Sequence, residues 1–322
     1  MRSGPRLSIG MPVFNGERFI AEAITSLLQQ TYADFEIVVL DNASTDTTPE
    51  IVARLMASDS RIRYQRNETN IGASPNFAKV ASLTSAPFFK WAAHDDLHEP
   101  SYLAESMRTL EANPDVVLAH ADIVYIGPCG RNFAPGRPGT FVDPDSGVEL
   151  PVDRVDLAER GTPLSRFADV IFHSRIGSHM FGVVRRSALD RTRSIQDIPS
   201  SDRPFLAELA LLGPFKQTRA PLFRKRFHPA MTWALTGDEE RAYVSGSSAR
   251  YSPRARKLRV YLTAAFGKPV SAMTKVGCCA VVLGYSAKVA VGRHLGAGRR
   301  RNIGSANSGA AKRPPSSHVQ VL

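Results

Sequence analysis

Four times within its first ~120 residues this chain passes from a short apolar stretch into an amphipathic helical one, and few folds accommodate that alternation. Leu7–Val13 (LSIGMPV) reads as a buried strand with Asn15-Gly16 as the turn behind it. Across Glu17–Gln30, Ile20, Ala23, Ile24, Leu27 and Leu28 recur at the spacing of one helix face. Glu36–Leu40 is the next strand, and Thr48-Pro49-Glu50 opens a helix reaching Ala57. Arg61–Gln65 is a third, more polar strand, followed by a loop at Asn70-Ile71-Gly72 and a helix from Ser74-Pro75 to Leu83. Strands at Phe88–Ala92 and Val116–Ala119 flank a helix running from Glu99-Pro100 to Asn113-Pro114. The order predicts an α/β fold built on a doubly wound, mostly parallel sheet with helices on both faces.

After Gly127 the pattern breaks. Pro128–Pro151, rich in Pro, Gly and Asp, reads as a long surface loop. Pro163–Phe172 and Arg203–Leu212 read as helices, Phe181–Val184 as a short strand, and Phe215–His228 alternates basic and apolar residues. These shifts divide the chain into a first half (1–127), a second half of the same domain (128–235), a basic helical appendage (236–298) and a disordered tail (299–322).

Three predicted strand ends carry polar chemistry: Pro12–Gly16, Asp41-Asn42 and His94-Asp95-Asp96. In an open α/β sheet, ligands bind where such ends converge. Asp41 there can accept an N–H from a base or a ribose hydroxyl; it can equally make a turn or a helix cap. Asp95 and Asp96 end the apolar run PFFKWAAHDD. Adjacent carboxylates suit a hard divalent ion bridging a diphosphate, or they cap the next helix from a solvated loop. Jointly the three tips point to a nucleotide site. No glycine- and lysine-rich phosphate loop follows the first strand, which argues against nucleotidyl transfer, and no G-x-G-x-x-G follows it to support a dinucleotide enzyme.

Pro12–Gly16 (PVFNG), Glu36–Asp46 (EIVVLDNASTD), Asn70-Ile71-Gly72 and Trp91–Asp96 occur in an order and spacing that resembles the family 2 glycosyltransferases, with the GT-A nucleotide-sugar fold, over residues 6 to 232. The resemblance implies that Pro12, Phe14 and Asn15 line the nucleotide pocket, with Glu17 starting the helix beside it. It implies that Asp41 binds the pyrimidine ring of a UDP- or dTDP-sugar, and that Asn70 and Gly72 shape the nucleoside loop. At the family's DxD position Asp95 would approach the ribose or an Mn²⁺ or Mg²⁺ ion, and Asp96 would bind the metal directly. His94 stands where the motif usually has an acid. The catalytic base would be Asp202, in Ser200-Ser201-Asp202-Arg203, where a helix N-cap is the alternative. In Arg224–His228, Arg226 would reach the diphosphate and His228 the metal; a solvated basic edge strand is the alternative. Gly177–Gly182 resembles the acceptor-side loop, with His179 read as a loop histidine. The implied activity is inverting, metal-dependent sugar transfer to a hydroxyl of a glycan or lipid-linked acceptor in cell-envelope synthesis. An inactive nucleotide-sugar-binding or scaffold protein is the alternative, against which the joint presence of Asp41, Asp95, Asp96 and Asp202 argues.

Charge adds a partner. Residues 1–249 hold 27 Lys/Arg and all 30 Asp/Glu, whereas residues 250–322 hold 14 Lys/Arg and no acid. Val276–Ala287 is too short to span a bilayer, so 250–301 reads as an interfacial segment on an anionic membrane. The other reading of this segment is a helix packed on the catalytic domain. Arg299–Arg301 comes with no nucleic-acid-binding module, so no specific nucleic-acid partner is expected. No apolar leader precedes Leu7, and Cys129, Cys278 and Cys279 form no disulfide framework; a cytoplasmic protein, peripheral at the inner membrane face, is expected.

Overall fold

The computed structural model describes residues 4–152, 154, 156–228, 244 and 253–303. The expected boundary at 235 and the tail beyond Ile303 lie outside them. The main sheet is built from β1 (Leu7–Val13), β2 (Phe35–Asp41), β3 (Ile62–Arg66), β4 (Phe88–Trp91), β5 (Leu97–His98), β6 (Leu118–Ile126), β10 (Val183–Arg185) and β11 (Phe215–Arg226), in the order β3-β2-β1-β4-β10-β6-β11-β5. Strands β3, β2, β1 and β4 are parallel neighbours, as are β6 and β11. Short β10 lies antiparallel between β4 and β6, and β5 lies antiparallel on the outer edge of β11. All seven residues of β1 are buried, which is why its sequence is apolar without alternation.

Helices α1 (Ile20–Leu28), α2 (Thr48–Ser58), α3 (Ala73–Ser82) and α4 (Tyr102–Ala112) connect the parallel strands, close to the spans that periodicity predicts. The apolar face of α1 (Ile20, Ala23, Ile24, Leu27) joins Leu7, Ile9 and Met11 of β1 in one core. Pairing of β1 with β4 stops at Gly10–Trp91, while pairing with β2 continues to Val13–Asp41. Pro12, which has no N–H to donate, sits in this stretch where β1 has a ladder on one side only. At Gly10, a Cβ would meet the Phe89 ring at 2.9 Å, so only glycine lets the two strands pack there.

Two expectations are corrected. Pro128–Pro151 is not an open loop: β7 (Ala134–Pro135), β8 (Thr140–Val142) and β9 (Glu149–Pro151) form a three-stranded antiparallel sheet. It is anchored by buried Phe133 and Leu150 and by the Tyr125 hydroxyl donating to the Pro151 carbonyl at 2.9 Å. Strands of two or three residues are too short to print a period on the sequence. The alternative reading of Arg224–His228 as a solvated edge strand fails too, because β11 lies between β6 and β5.

The remaining helices are α5 (Pro163–His173), α6 (Arg186–Leu189), α7 (Asp202–Leu212), α8 (Pro253–Leu262) and α9 (Ala272–Ile303), with a 3₁₀ turn at Ser178–Phe181. The chain divides into two compact units, Met1–Val282 and Leu283–Leu322. Residues 299–303, expected in the disordered tail, are helical. Helices continue through turns that composition marks as loose when backbone hydrogen bonding is uninterrupted. None of the described helices is long and apolar enough to cross a membrane.

Within the first unit the appendage is fastened by Glu208 of α7, which is 1% exposed. Its carboxylate binds the Arg193 guanidinium at 2.5 Å and the Lys268 ammonium at 2.8 Å. Arg193 also donates to the Thr263 hydroxyl at 2.6 Å and the Val260 carbonyl at 2.8 Å. Removing one partner of a buried ion pair leaves an uncompensated charge. Glu208→Ala is therefore expected to lower unfolding free energy by about 3 kcal/mol in urea denaturation, whereas substitutions at exposed Met56 change it little.

Candidate active site

The loops after β1 and β2 are laced together. Asn15, in the left-handed region at φ 51°, donates its N–H to the Ser44 hydroxyl at 2.9 Å, and its side-chain oxygen accepts from the Thr45 N–H at 2.8 Å. Gly16 donates to the Thr48 hydroxyl at 2.8 Å. The Glu17 carboxylate accepts from the Thr47 hydroxyl and N–H at 2.8 and 3.1 Å. Glu17 thus braces the loop and does not start α1, which begins three residues later. Phe14 is half-buried and Asn15 exposed at the mouth of this double loop. His94 packs on it from the β4 side: a Cβ at Gly16 would meet the His94 ring at 2.9 Å.

Asp41 ends β2 fully buried. One carboxylate oxygen accepts from the Ser44 N–H at 2.8 Å; the other accepts from the Tyr64 hydroxyl at 2.6 Å and from Arg66 at 3.1 Å. Burial and the Asp41 bond push the Tyr64 phenol up to about 12. Tyr64 and half-exposed Arg66 thus cover the buried Asp41 carboxylate. The neighbouring Asn42 holds the third loop. Its amide donates to Asn70 at 2.7 Å and to the Gly72 carbonyl at 3.3 Å, and its oxygen accepts from the Ile71 N–H at 3.0 Å. Asn67 and Asn76 extend this network beneath it. Gly72, at φ 87°, starts α3 in a conformation that favours glycine.

At the tip of β4 the two aspartates part company. Asp95 is the outer one, and its carboxylate meets His228 Nε2 at 3.0 Å. Burial alone would raise it, but the His228 bond and the charges of His94 and Lys225 hold it down at about 2. Asp96 turns inward and is 1% exposed. Its Oδ1 accepts from the Arg226 N–H at 2.8 Å, while its buried Oδ2 has no hydrogen-bond partner and lies 3.8 Å from the Lys225 ammonium. Burial pushes it up to about 6. Behind it Lys90, fully buried, donates to the Phe181 carbonyl and lies 4.6 Å over the Tyr102 ring. Burial lowers this ammonium to about 7.

The expected diphosphate role of Arg226 is corrected. Its guanidinium is spent inside the protein, on the Asp95 carbonyl (2.8 Å), the Gly127 and Pro128 carbonyls (3.3 and 3.1 Å) and the Glu22 carboxylate (2.7 Å). It also stacks 4.7 Å over the ring of Phe19, which lies 4.9 Å from the His228 ring. Sequence shows the charge of Arg226 but not its 1% exposure. Phe19, Tyr64, Arg66 and Lys90 all shape the site and carried no motif; the aromatic-basic alternation of β11 was the only available hint of such stacking.

Asp202 is the half-buried first residue of α7. Its carboxylate lies against Gly177, where any Cβ would overlap it, and Gly177 itself is left-handed at φ 70°. From Gly177 the 3₁₀ turn runs to Phe181, whose carbonyl takes Lys90 and Tyr102 and whose ring lies 4.8 Å under the Lys225 ammonium. One five-residue turn thus links the Asp202 carboxylate to the ground beneath the acidic pair. Within it His179 is buried, bonded at 3.0 Å to the Arg154 carbonyl and stacked edge-on with His120 at 4.4 Å. It is built into the fold and does not stand out in a loop.

Among the described residues no three His, Cys, Asp or Glu side chains gather as a ready metal cage. The Asp95–His228 pair supplies one ionised carboxylate and one imidazole, a donor set that fits Mn²⁺ or Mg²⁺ when diphosphate oxygens complete the shell.

Residues 8–145 match the model of Glycosyl transferase family 2. An uncharacterized glycosyltransferase of Haemophilus influenzae is 28% identical over 246 residues, 74% of this chain and 71% of that protein. A putative glycosyltransferase of Bacillus subtilis, EpsE, is 35% identical over 112 residues, 34% of this chain and 40% of its own length. Among solved structures, S. aureus TarS 1–349 in complex with UDP-GlcNAc superimposes with a TM-score of 0.60 at 18% identity, covering 87% of this chain and 72% of TarS. The complex with UDP gives 0.59 at 16%, covering 86% and 70%. At such identities the likeness is one of fold, and that fold is GT-A.

Two outcomes follow from this geometry. Gly177→Ala is expected to lower stability by only about 1 kcal/mol for the left-handed backbone, yet to displace Asp202 and cut turnover about a hundredfold; melting curves and kcat measured side by side separate the two. Lys90 loses its proton near 7 when folded and near 10.5 when unfolded, so the folded state binds fewer protons between those values and stability rises with pH across that window. Lys90→Met removes this rise. Its advantage over wild type in urea should shrink by about 2 kcal/mol between pH 7 and pH 9.

Proposed function

We propose that this chain, a family 2 glycosyltransferase through its residues 8–145 and so an enzyme that takes sugar from a nucleotide-sugar donor, is a metal-dependent, inverting transferase using a UDP- or dTDP-sugar. The observation that carries the proposal is the ionised Asp95 meeting His228 at 3.0 Å beside the laced loops, with Asp202 tied to the same ground through Gly177. The nucleoside is assigned to Pro12, Phe14 and Asn15 on one side and to Asn70 and Gly72 on the other. Asp41 reads the base edge in concert with Tyr64 and Arg66. UDP and UDP-GlcNAc are the ligands of the TarS complexes, which supports a uridine donor here.

Asp95 and His228 would hold the cation, and Asp96 serves as the buried carboxylate that fixes the β4 tip through Arg226. When bound, the ion supplies Lewis-acid stabilisation of the negative charge that develops on the diphosphate. Asp202 accepts the proton of the acceptor hydroxyl. The freed oxygen forms its bond to the anomeric carbon while the bond from that carbon to the diphosphate oxygen breaks, and the nucleoside diphosphate leaves with the electron pair. Among the described residues a single base candidate is proposed, which supports a single displacement with inversion. The acceptor proposed is a glycan or lipid-linked hydroxyl of the cell envelope, met at the inner face of the membrane. The acid-free basic segment 250–322 supports that setting.

The test is release of UDP or dTDP from candidate donors by the full-length chain with Mn²⁺. Turnover is expected to disappear on chelation and return with the metal, and Asp95→Ala should abolish the return. Asp202→Asn should lose about 10²–10⁴-fold in turnover while keeping donor affinity. Undiminished turnover in chelator would end the metal assignment, and full activity in Asp202→Asn would end the base assignment.

A further inference from the structure

Among the described residues, five large apolar side chains are exposed, and four of them lie in the C-terminal segment. They are Phe266 (56%), Met273 (82%), Val276 (67%) and Leu283 (55%). Within the first unit Met273, Val276 and exposed Ala280 follow one another at intervals of three and four, so they fall on one line of α9. The opposite line of the same helix is apolar too and is already used: Cys278 and Val282 are buried, and Gly277 lies against Leu164. A helix apolar on both faces needs cover on both.

The chemistry of the surroundings names the cover. No acid occurs in residues 250–322, which carry 14 Lys/Arg, with Arg259, Lys275 and Lys288 spaced along the two helices. A second copy of this chain would bring like charge against like charge. Nucleic acid would meet the basic residues but leave Met273 and Val276 nothing to pack on. A membrane span is excluded for the described helices by length and hydropathy. An anionic bilayer surface satisfies both the charge and the apolar line, since acyl chains cover the second and head groups pair with the first.

We propose that the outward line of α9 within the first unit, together with exposed Phe266, is a docking surface that inserts into the interface of an anionic phospholipid membrane. The surface in the first unit is not on a loose tether. Lys268 between Phe266 and Met273 is clamped to Glu208, and Glu208 lies on the helix that begins at Asp202, about 9 Å along its axis. Docking therefore sets the height and tilt of Asp202 above the lipid. The docking surface belongs to the appendage, so membrane binding and sugar transfer are tested separately.

Co-sedimentation of the full-length chain with vesicles tests it. Wild type is expected to pellet with phosphatidylcholine vesicles containing one part in three of phosphatidylglycerol, to stay in solution with phosphatidylcholine alone, and to be released by 0.5 M salt (roughly a 4 Å screening length). Met273→Glu with Val276→Glu, both solvent-facing, should reduce partitioning about tenfold or more while leaving the melting curve and donor hydrolysis unchanged. Wild type remaining in solution with anionic vesicles overturns the proposal, as does a double variant that pellets equally well. A wild-type dimer that the double variant dissociates, without vesicle binding, overturns it in favour of a second copy.

Discussion

The buried guanidinium of Arg226 is the tie on which the site's construction rests. A charge this far from water is tolerated when it is well matched, and here the partners come from three separate stretches: the β4 tip, the start of the 127–128 loop, and α1 with Phe19 immediately before it. The backbone N–H of the same residue holds Asp96, so β11 positions the acidic pair by main chain and side chain together. Two residues further, the chain delivers His228 to Asp95. The site is thus assembled where the last strand of the sheet closes over a motif laid down 130 residues earlier.

That arrangement explains how much the sequence discloses. The parallel half is legible because buried strands and one-sided helices leave strong periods, as LSIGMPV and the α1 stripe do. The three strand tips are legible as a cluster because topology alone carries them to one edge. Ranking them is another matter. Asp95 and Asp96 are chemically identical in the sequence, and only the pleat of the chain decides that one faces His228 and the other Lys90 and Lys225. Arg226 looked like a ligand-binding cation for the same reason: residue type reports charge, not depth. The small sheet at β7–β9 escaped because its strands are shorter than any period.

Opposite electrostatic settings lie side by side at the β4 tip. The outer carboxylate is held ionised by an imidazole; the inner one is pushed toward its neutral form by burial, and a lysine behind it is pushed toward neutrality as well. The inner groups spend stability on order, since each is costly alone and tolerable only in the company of the others. The Gly177–Phe181 turn is the beneficiary: it rests on Lys90 and Tyr102 at one end and touches Asp202 at the other.

The unequal length of the two ladders on β1 has a consequence for binding. Because β4 leaves β1 at Gly10 while β2 stays with it to Val13, the sheet forks just below the laced loops. Beyond Gly10 no β1–β4 ladder bond remains to be broken, so a ligand that met the strand ends there would cost no strand pairing. The residues above the fork belong to loops, which can change residue by residue while the ladders below them keep their register. One scaffold can in this way be fitted to different cargo without being refolded.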